Sequence, residues 1–304
     1  MCHNVISPSF YSVTYMKRIA ESELIINDDG SVFHLHIRPE QLADRIVLCG
    51  DPARVPTIAE HFDTKECDIS SREFRTITGT YKGKRISVVS HGIGCDNMDI
   101  VINELDALAN IDFETRAVRP DFRQLTMVRI GTSGGLQPFT PIGSYVAAEK
   151  SIGFDGVIYF YKDNEKIRDI ALEEELIRQL DWKITGIRPY IVSADTSLIE
   201  QITKDDIIRG ITIAANGFYG PQGRELRLEL TNPELNRNIE AFNFENQRIT
   251  NYEMESSALA GLATMMGHRA MTVCCIIAGR HNKNMNTDYK NSLPRLIEKV
   301  LDRV

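Results

Sequence analysis

From Arg45 onward, short β-rich apolar runs alternate with stretches of helical period, and that rhythm points to an α/β architecture. Arg45–Cys49 (RIVLC) and Arg85–Ser90 (RISVVS) are expected as strands. Between them, Pro52 sits where a helix begins, with Val55, Ile58, Ala59 and Phe62 on one apolar face. Asp96 or Asn97 is expected to cap a helix running to about Ile111, with Ile100, Val101, Leu105 and Leu108 on one side. Thr126–Gly131 is expected as a strand that opens into glycine-rich turns. Further strands are expected near Tyr145–Ala148, Tyr190–Ser193, Gly210–Ala215 and Met271–Ala278, and helices over Glu173–Leu180, Ser256–Met266 and Ser292–Val304. The expected fold is one α/β domain over residues 31–304, a mixed central sheet flanked by helices. Residues 1–15 show no clear period, and residues 1–30 are expected to form an N-terminal extension that is peripheral or disordered.

Composition narrows the partners. A net charge of −7 argues against a nucleic-acid binder, although a local arginine cluster can still hold a phosphate. No run of eighteen apolar residues suggests a membrane span, and the N-terminus lacks a secretory layout. The six cysteines form no CxxC pair, and most lie in or beside apolar runs, which fits a reduced cytoplasm and indicates neither a disulfide framework nor a zinc site.

Four segments carry chemistry. In Gly50-Asp51-Pro52-Ala53-Arg54 a strand gives way to a turn and a helix start, where backbone N–H groups and an arginine fork can hold an anion. Arg129 lies inside a strand, where an unpaired charge is costly, and Thr132, Ser133, Gly134 and Gly135 follow it with amides and hydroxyls suited to an anion nest. No Walker spacing follows, so a nucleotide P-loop is not indicated. Glu253 and Glu255 lie two apart and share a side if the segment is extended; such acids can accept from ribose hydroxyls. The loop from Asn216 to Arg224 offers Phe218, Gln222 and Arg224, a ring with amide and guanidinium groups suited to a pyrimidine edge. Each segment alone also has an ordinary explanation: a surface turn, a strand-edge arginine, acids at a helix start, a Gly-Pro loop. His34 and Arg72, taken alone, are a structural histidine and a surface charge.

Taken together and in this order, the segments resemble the uridine phosphorylase branch of the nucleoside phosphorylase family over residues 31–304. The resemblance implies a nucleoside phosphorylase-like fold and phosphate held by Gly50, Arg54, Arg129 and Thr132, with Arg72 supplied by a neighbouring subunit. It implies ribose held by Glu253, Met254 and Glu255, with His34 of the neighbour at the 5′ hydroxyl. It implies a base site of Ser133, Gly134, Phe218, Gln222, Arg224, Ile277 and Arg280, with Arg129, Glu255, Gln222, Arg224 and Arg280 carrying catalysis. The expected reaction is reversible phosphorolysis of uridine, extending to deoxyuridine, with inorganic phosphate as co-substrate and no cofactor or required metal. The implied assembly is a homodimer or a hexamer with shared sites. Glu73, Ile93 and Asn97 occupy the place of a monovalent-cation site, with Asn97 where some relatives have serine. A purine-directed relative is the alternative; such relatives carry a Ser-Asp pair where this chain reads Ala278-Gly279-Arg280. A non-catalytic nucleoside-binding protein would be expected to have lost site residues.

Overall fold

The strand Arg45–Cys49 buries four of its five residues because it lies between two parallel partners and is covered on both faces. Ile46 and Leu48 enter one core; Val47 and Cys49, pointing the other way, enter another. The computed structural model describes residues 17–204, 206–279, 284–285 and 292–304.

In chain order the strands are β1 (Arg45–Cys49), β2 (Thr64–Ser71), β3 (Phe74–Tyr81), β4 (Lys84–Ser90), β5 (Ile111–Asp112), β6 (Ala117–Val118), β7 (Thr126–Gly135), β8 (Tyr145–Gly153), β9 (Tyr190–Ser193), β10 (Ile208–Ala214), β11 (Ile249–Glu253), β12 (Arg269–Gly279) and β13 (Asn284–Met285). The α-helices are α1 (Arg54–Ala59), α2 (Cys95–Asn110), α3 (Ile170–Leu180), α4 (Thr196–Thr203), α5 (Leu235–Ala241), α6 (Ser256–Met265) and α7 (Leu293–Arg303).

The central sheet is mixed, as expected. β7 pairs in parallel with β1 on one side and with β12 on the other, and its end meets β11 antiparallel. β12 continues to β8, β8 to β10 and β10 to β11, so five strands close into a ring through β7. β4, β3 and β2 extend the sheet beyond β1. Helices α1, α4 and α7 cover one face of the sheet, α2 and α6 another, and α3 and α5 pack over the far side of the ring.

Three local expectations need correction. The glycine-rich segment after Arg129 is not a turn: β7 runs on through Gly135, because β12 and β11 flank it and supply its hydrogen bonds. Helix α1 begins at Arg54, not Pro52, since the Asp51 side chain accepts from Ala53 N and holds residues 51–53 as a turn. Helix α2 begins at Cys95, with Gly94 at φ 94° before it, so neither Asp96 nor Asn97 is its cap.

Residues 1–16 lie outside the described residues. Residues 17–30 lie against the body: Ile19 N donates to Arg116 O, and the Arg116 guanidinium donates to the carbonyls of Ile19, Ala20 and Leu24.

Candidate active site

The carboxyl ends of β1, β4 and β7 and the start of α6 converge on an open cleft of ≈ 650 Å³. Arg129 forms its floor. The side chain is 5% exposed, and three of its nitrogens are engaged. Nη1 donates to Glu253 Oε2 at 2.8 Å, Nη2 donates to Glu255 Oε2, and Nε donates to His91 Nε2 at 3.0 Å. The fork lies back over its own strand, which requires a glycine two residues on: a Cβ at Gly131 would stand 2.7 Å from Arg129 Nη1 and 2.8 Å from Cys274 Sγ.

The two acids converge on one guanidinium but do different work. Glu253 ends β11 and accepts from Glu255 N, Ser256 N and Ser256 Oγ at 2.6–3.0 Å, so it ties down the first turn of α6. Glu255 accepts from Gly94 N at 2.7 Å and from Arg129, joining α6 to the start of α2. Burial raises the Glu255 pKa; Arg129 opposes the rise and the neighbouring Glu253 adds to it. Burial alone would lower the Arg129 pKa, and the two carboxylates together outweigh it, so it is raised.

On one side of this centre lie Gly50, Arg54 and Thr132. Arg54 Nη1 donates to Ile130 O at 3.2 Å, which sets its guanidinium beside β7. On the other side lie Ser133, Gly134, Ile277 and the loop residues Phe218, Gln222 and Arg224. Asn251, fully buried, donates from Nδ2 to Ser133 Oγ at 3.0 Å. Arg224 Nη1 donates to Gln222 Oε1 at 2.5 Å and to Phe218 O at 2.6 Å, while its Cζ stands 3.9 Å from the Phe218 ring centroid. The guanidinium therefore fixes which way the buried Gln222 amide faces. Met254 also lines the cleft. The groups along β7 from Arg129 to Gly134 span six residues, five steps that cover roughly 16 Å at strand rise.

The Glu73, Ile93 and Asn97 group sits at the rim. Asn97 Nδ2 donates to Glu73 Oε1 at 3.3 Å, and Ile93 is 74% exposed. Gly92 makes that approach possible: its φ is +74°, and a Cβ there would meet Asn97 Nδ2 at 2.3 Å.

Two expected residues stand apart from the cleft of their own chain. His34 donates from Nδ1 to Glu104 at 2.6 Å, and its ring is edge-on to Phe33 and Phe74. Arg72, exposed at the β2–β3 turn, holds its guanidinium 5.5 Å from the Phe33 ring centroid, so the two residues share one patch. Arg280 lies outside the described residues.

The residues that sequence reasoning passed over are His91 and Tyr252. Tyr252 lines the cleft and donates to Asn236 Oδ1 at 3.0 Å. His91 is fully buried behind Arg129; burial, then the Arg129 and Arg54 cations, hold its pKa well below the usual value. It accepts from Arg129 as the neutral imidazole. The available signal was its place: Ser90-His91-Gly92 is the carboxyl end of a strand next to β1, where sites collect.

A neighbouring groove of ≈ 570 Å³ is lined by Leu226, Leu228, Leu230 and Leu235 among others. Among the described residues its one lining carboxylate, Glu229, is exposed, and none of them forms a buried acid–arginine centre there.

A family model for the phosphorylase superfamily matches residues 44–302. The chain is 30% identical over 267 residues to the uridine phosphorylase of Thermococcus kodakarensis, covering 87% of this chain and 83% of that one. It is 30% identical over 255 residues to the uridine phosphorylase of Haemophilus influenzae, covering 83% and 87%. A solved nucleoside phosphorylase of Trypanosoma brucei, described as showing uridine phosphorylase activity, matches with a TM-score of 0.83 at 29% identity, over 92% of this chain and 98% of that chain. The match runs from before β1 into α7 and takes in every cleft residue described, and the chain belongs to the phosphorylase superfamily.

Proposed function

We propose that the protein is a uridine phosphorylase, converting uridine and inorganic phosphate to uracil and ribose 1-phosphate and acting also on deoxyuridine. The observation that carries this reading is the placement of Arg129, which ties both acids of Glu253-Met254-Glu255 together between an arginine-bearing turn and an amide–guanidinium loop. Phosphate binds at Gly50, Arg54 and Thr132 beside Arg129. Glu255 carries the ribose contact, because each of its oxygens accepts one described bond, from Gly94 N or Arg129, whereas each Glu253 oxygen accepts two or more from α6 and Arg129. The base binds against Ser133, Gly134, Phe218, Gln222, Arg224 and Ile277.

The bond from C1′ to the base nitrogen breaks with its electron pair leaving on the uracil ring, and a phosphate oxygen bonds to C1′ from the opposite face. The sugar passes through an oxocarbenium-like state. Phosphate stabilises that cation, and donors from Gln222 and Arg224 spread the charge of the departing uracil, which then takes a proton from solvent. The chemistry needs no cofactor.

His34 and Arg72 serve the cleft of a neighbouring subunit, so the working unit is a homodimer, alone or within a hexamer. Their shared patch, away from their own cleft, supports this. We place the enzyme in the cytoplasm, whose reducing conditions suit the free thiols of Cys49, Cys67, Cys95, Cys274 and Cys275; no helix among the described residues is long and apolar enough to cross a membrane.

The test is uridine turnover by the purified protein with and without phosphate, with the products separated by chromatography. Uracil and ribose 1-phosphate formed only with phosphate is the expected result. Free ribose formed without phosphate would make the enzyme a hydrolase. Cleavage of inosine or adenosine in place of uridine would overturn the assignment of the base loop.

A further inference from the structure

Helix α2 buries Val101, Ile102, Leu105 and Leu108, and Glu104 sits buried among them. A carboxylate in such a place is costly unless its oxygens are satisfied. Here they are satisfied from one direction. His34 N donates to Oε1 and Oε2 at 3.0 and 3.2 Å, Leu35 N donates to Oε2 at 2.8 Å, and His34 Nδ1 meets Oε1 at 2.6 Å. The partners lie 69 and 70 residues away in sequence, so this is a tertiary device and not a local cap. It holds residue 34 by its backbone and its ring together. A carboxylate accepting at Nδ1 puts the ring proton there and leaves Nε2 as the nitrogen on the far side of the ring. Edge contacts from Phe33 and Phe74, with ring centroids at 4.8 and 6.2 Å, limit rotation further.

We propose that Glu104 is the positioning residue for His34: it fixes the tautomer and direction of the imidazole so that Nε2 meets the nucleoside 5′ hydroxyl in the neighbouring subunit's cleft. This rests on the reading above that His34 is lent across the interface. Glu104 touches no substrate. Its effect on catalysis passes through one hydrogen bond to one hydroxyl, and a substrate without that hydroxyl is blind to it.

The experiment compares uridine with 5′-deoxyuridine at saturating phosphate, using the assembled full-length enzyme. His34→Ala is expected to lower kcat/KM for uridine about tenfold, the scale of one lost hydrogen bond, and to leave 5′-deoxyuridine nearly unchanged. Glu104→Gln keeps the shape but replaces one acceptor oxygen with a donor, so it cannot serve all the N–H groups. It is expected to show the same selective loss, with no further loss in the double variant. Equal loss on both substrates, or additive losses in the double variant, overturns the proposal alone. Equal effects of His34→Ala on both substrates overturn the lending of His34 and the proposal with it. A measurement on the wild-type enzyme needs no variant to fold: ¹⁵N shifts of the His34 ring should show Nδ1 protonated and Nε2 bare. The opposite tautomer overturns the proposal.

Discussion

Arg54 and Arg129 are both cleft arginines, yet removing them has different consequences. Arg129 neutralises two carboxylates that are themselves almost fully buried. Arg129→Ala leaves those charges uncompensated and is expected to cost about 3–5 kcal/mol of stability, read from urea unfolding. Its effect on phosphate binding is therefore entangled with folding. Arg54 is half-buried and its one described side-chain bond is to a backbone carbonyl. Arg54→Ala is expected to leave the unfolding midpoint nearly unchanged while raising the phosphate KM by roughly 10- to 100-fold, the worth of a charge-assisted hydrogen bond. An unchanged phosphate KM would remove Arg54 from the anion site. His91 adds a pH dependence. Its folded pKa is depressed, so its contribution to stability is present above its unfolded value, about 6.5, and is lost as pH falls toward the folded value. Below pH ~6.5 the wild type is expected to lose up to ~1.4 kcal/mol per pH unit more than His91→Asn, which keeps an acceptor for Arg129 Nε but does not titrate. Parallel stability–pH curves for the two proteins would contradict this. The residue types at the cleft were legible in the sequence, because a buried strand arginine and paired acids are conspicuous. What was not legible was their partnering: nothing in the local sequence says that Glu253 spends its oxygens on α6 while Glu255 keeps one for Gly94.

Strands covered on both faces, such as β1 and β4, announce themselves as apolar runs. So does α7, whose apolar spacing matches the face it buries, while α6, buried on all sides over residues 256–263, shows as a run of small and apolar residues. The β2 strand escaped because it is exposed or half-exposed along its whole length, and β3 with it, since Thr76, Thr78 and Thr80 alternate with Ile77 and Gly79 and leave no continuous apolar run. The end of β7 was misjudged for the opposite reason: glycines normally mark turns, and here they mark close packing within a sheet. Gly131 admits the Arg129 fork, and Gly135 admits Thr140, whose carbonyl oxygen would lie 2.4 Å from an added Cβ. Both requirements are tertiary and leave no local trace. Gly131→Ala is accordingly expected to cost about 1–3 kcal/mol by crowding Arg129 and Cys274, and to lower turnover by shifting the guanidinium from its carboxylates. Gly186→Ala is the control: its added Cβ meets nothing within 4 Å, so the unfolding midpoint should stay close to wild type. Equal midpoints for the two variants would mean that β7 yields to the extra methyl and that Gly131 is not required by its neighbours.

At the scale of the whole molecule, the sheet brings nearly all the chemistry to one cleft and leaves His34 and Arg72 on a patch of their own. If that patch serves a second subunit, each site is built from two chains and inactive variants should complement one another. Take Arg72→Ala, which spoils only what a subunit lends, and Gln222→Ala, which spoils only its own cleft. In a mixed dimer, the Arg72→Ala subunit keeps an intact cleft and receives an intact Arg72 from its partner, while the other cleft carries both defects. A two-fold interface exchanges the same residues in both directions. Random pairing of equal amounts makes half the dimers mixed, each with one restored site in two, so co-expression should recover about a quarter of wild-type activity. The same fraction holds for a hexamer built from such dimers. The measurement is specific activity of the co-expressed pair against each variant alone. Activity no greater than the mean of the two separate variants would mean that Arg72 acts within its own chain or not at all, and the shared-site assembly would have to be abandoned.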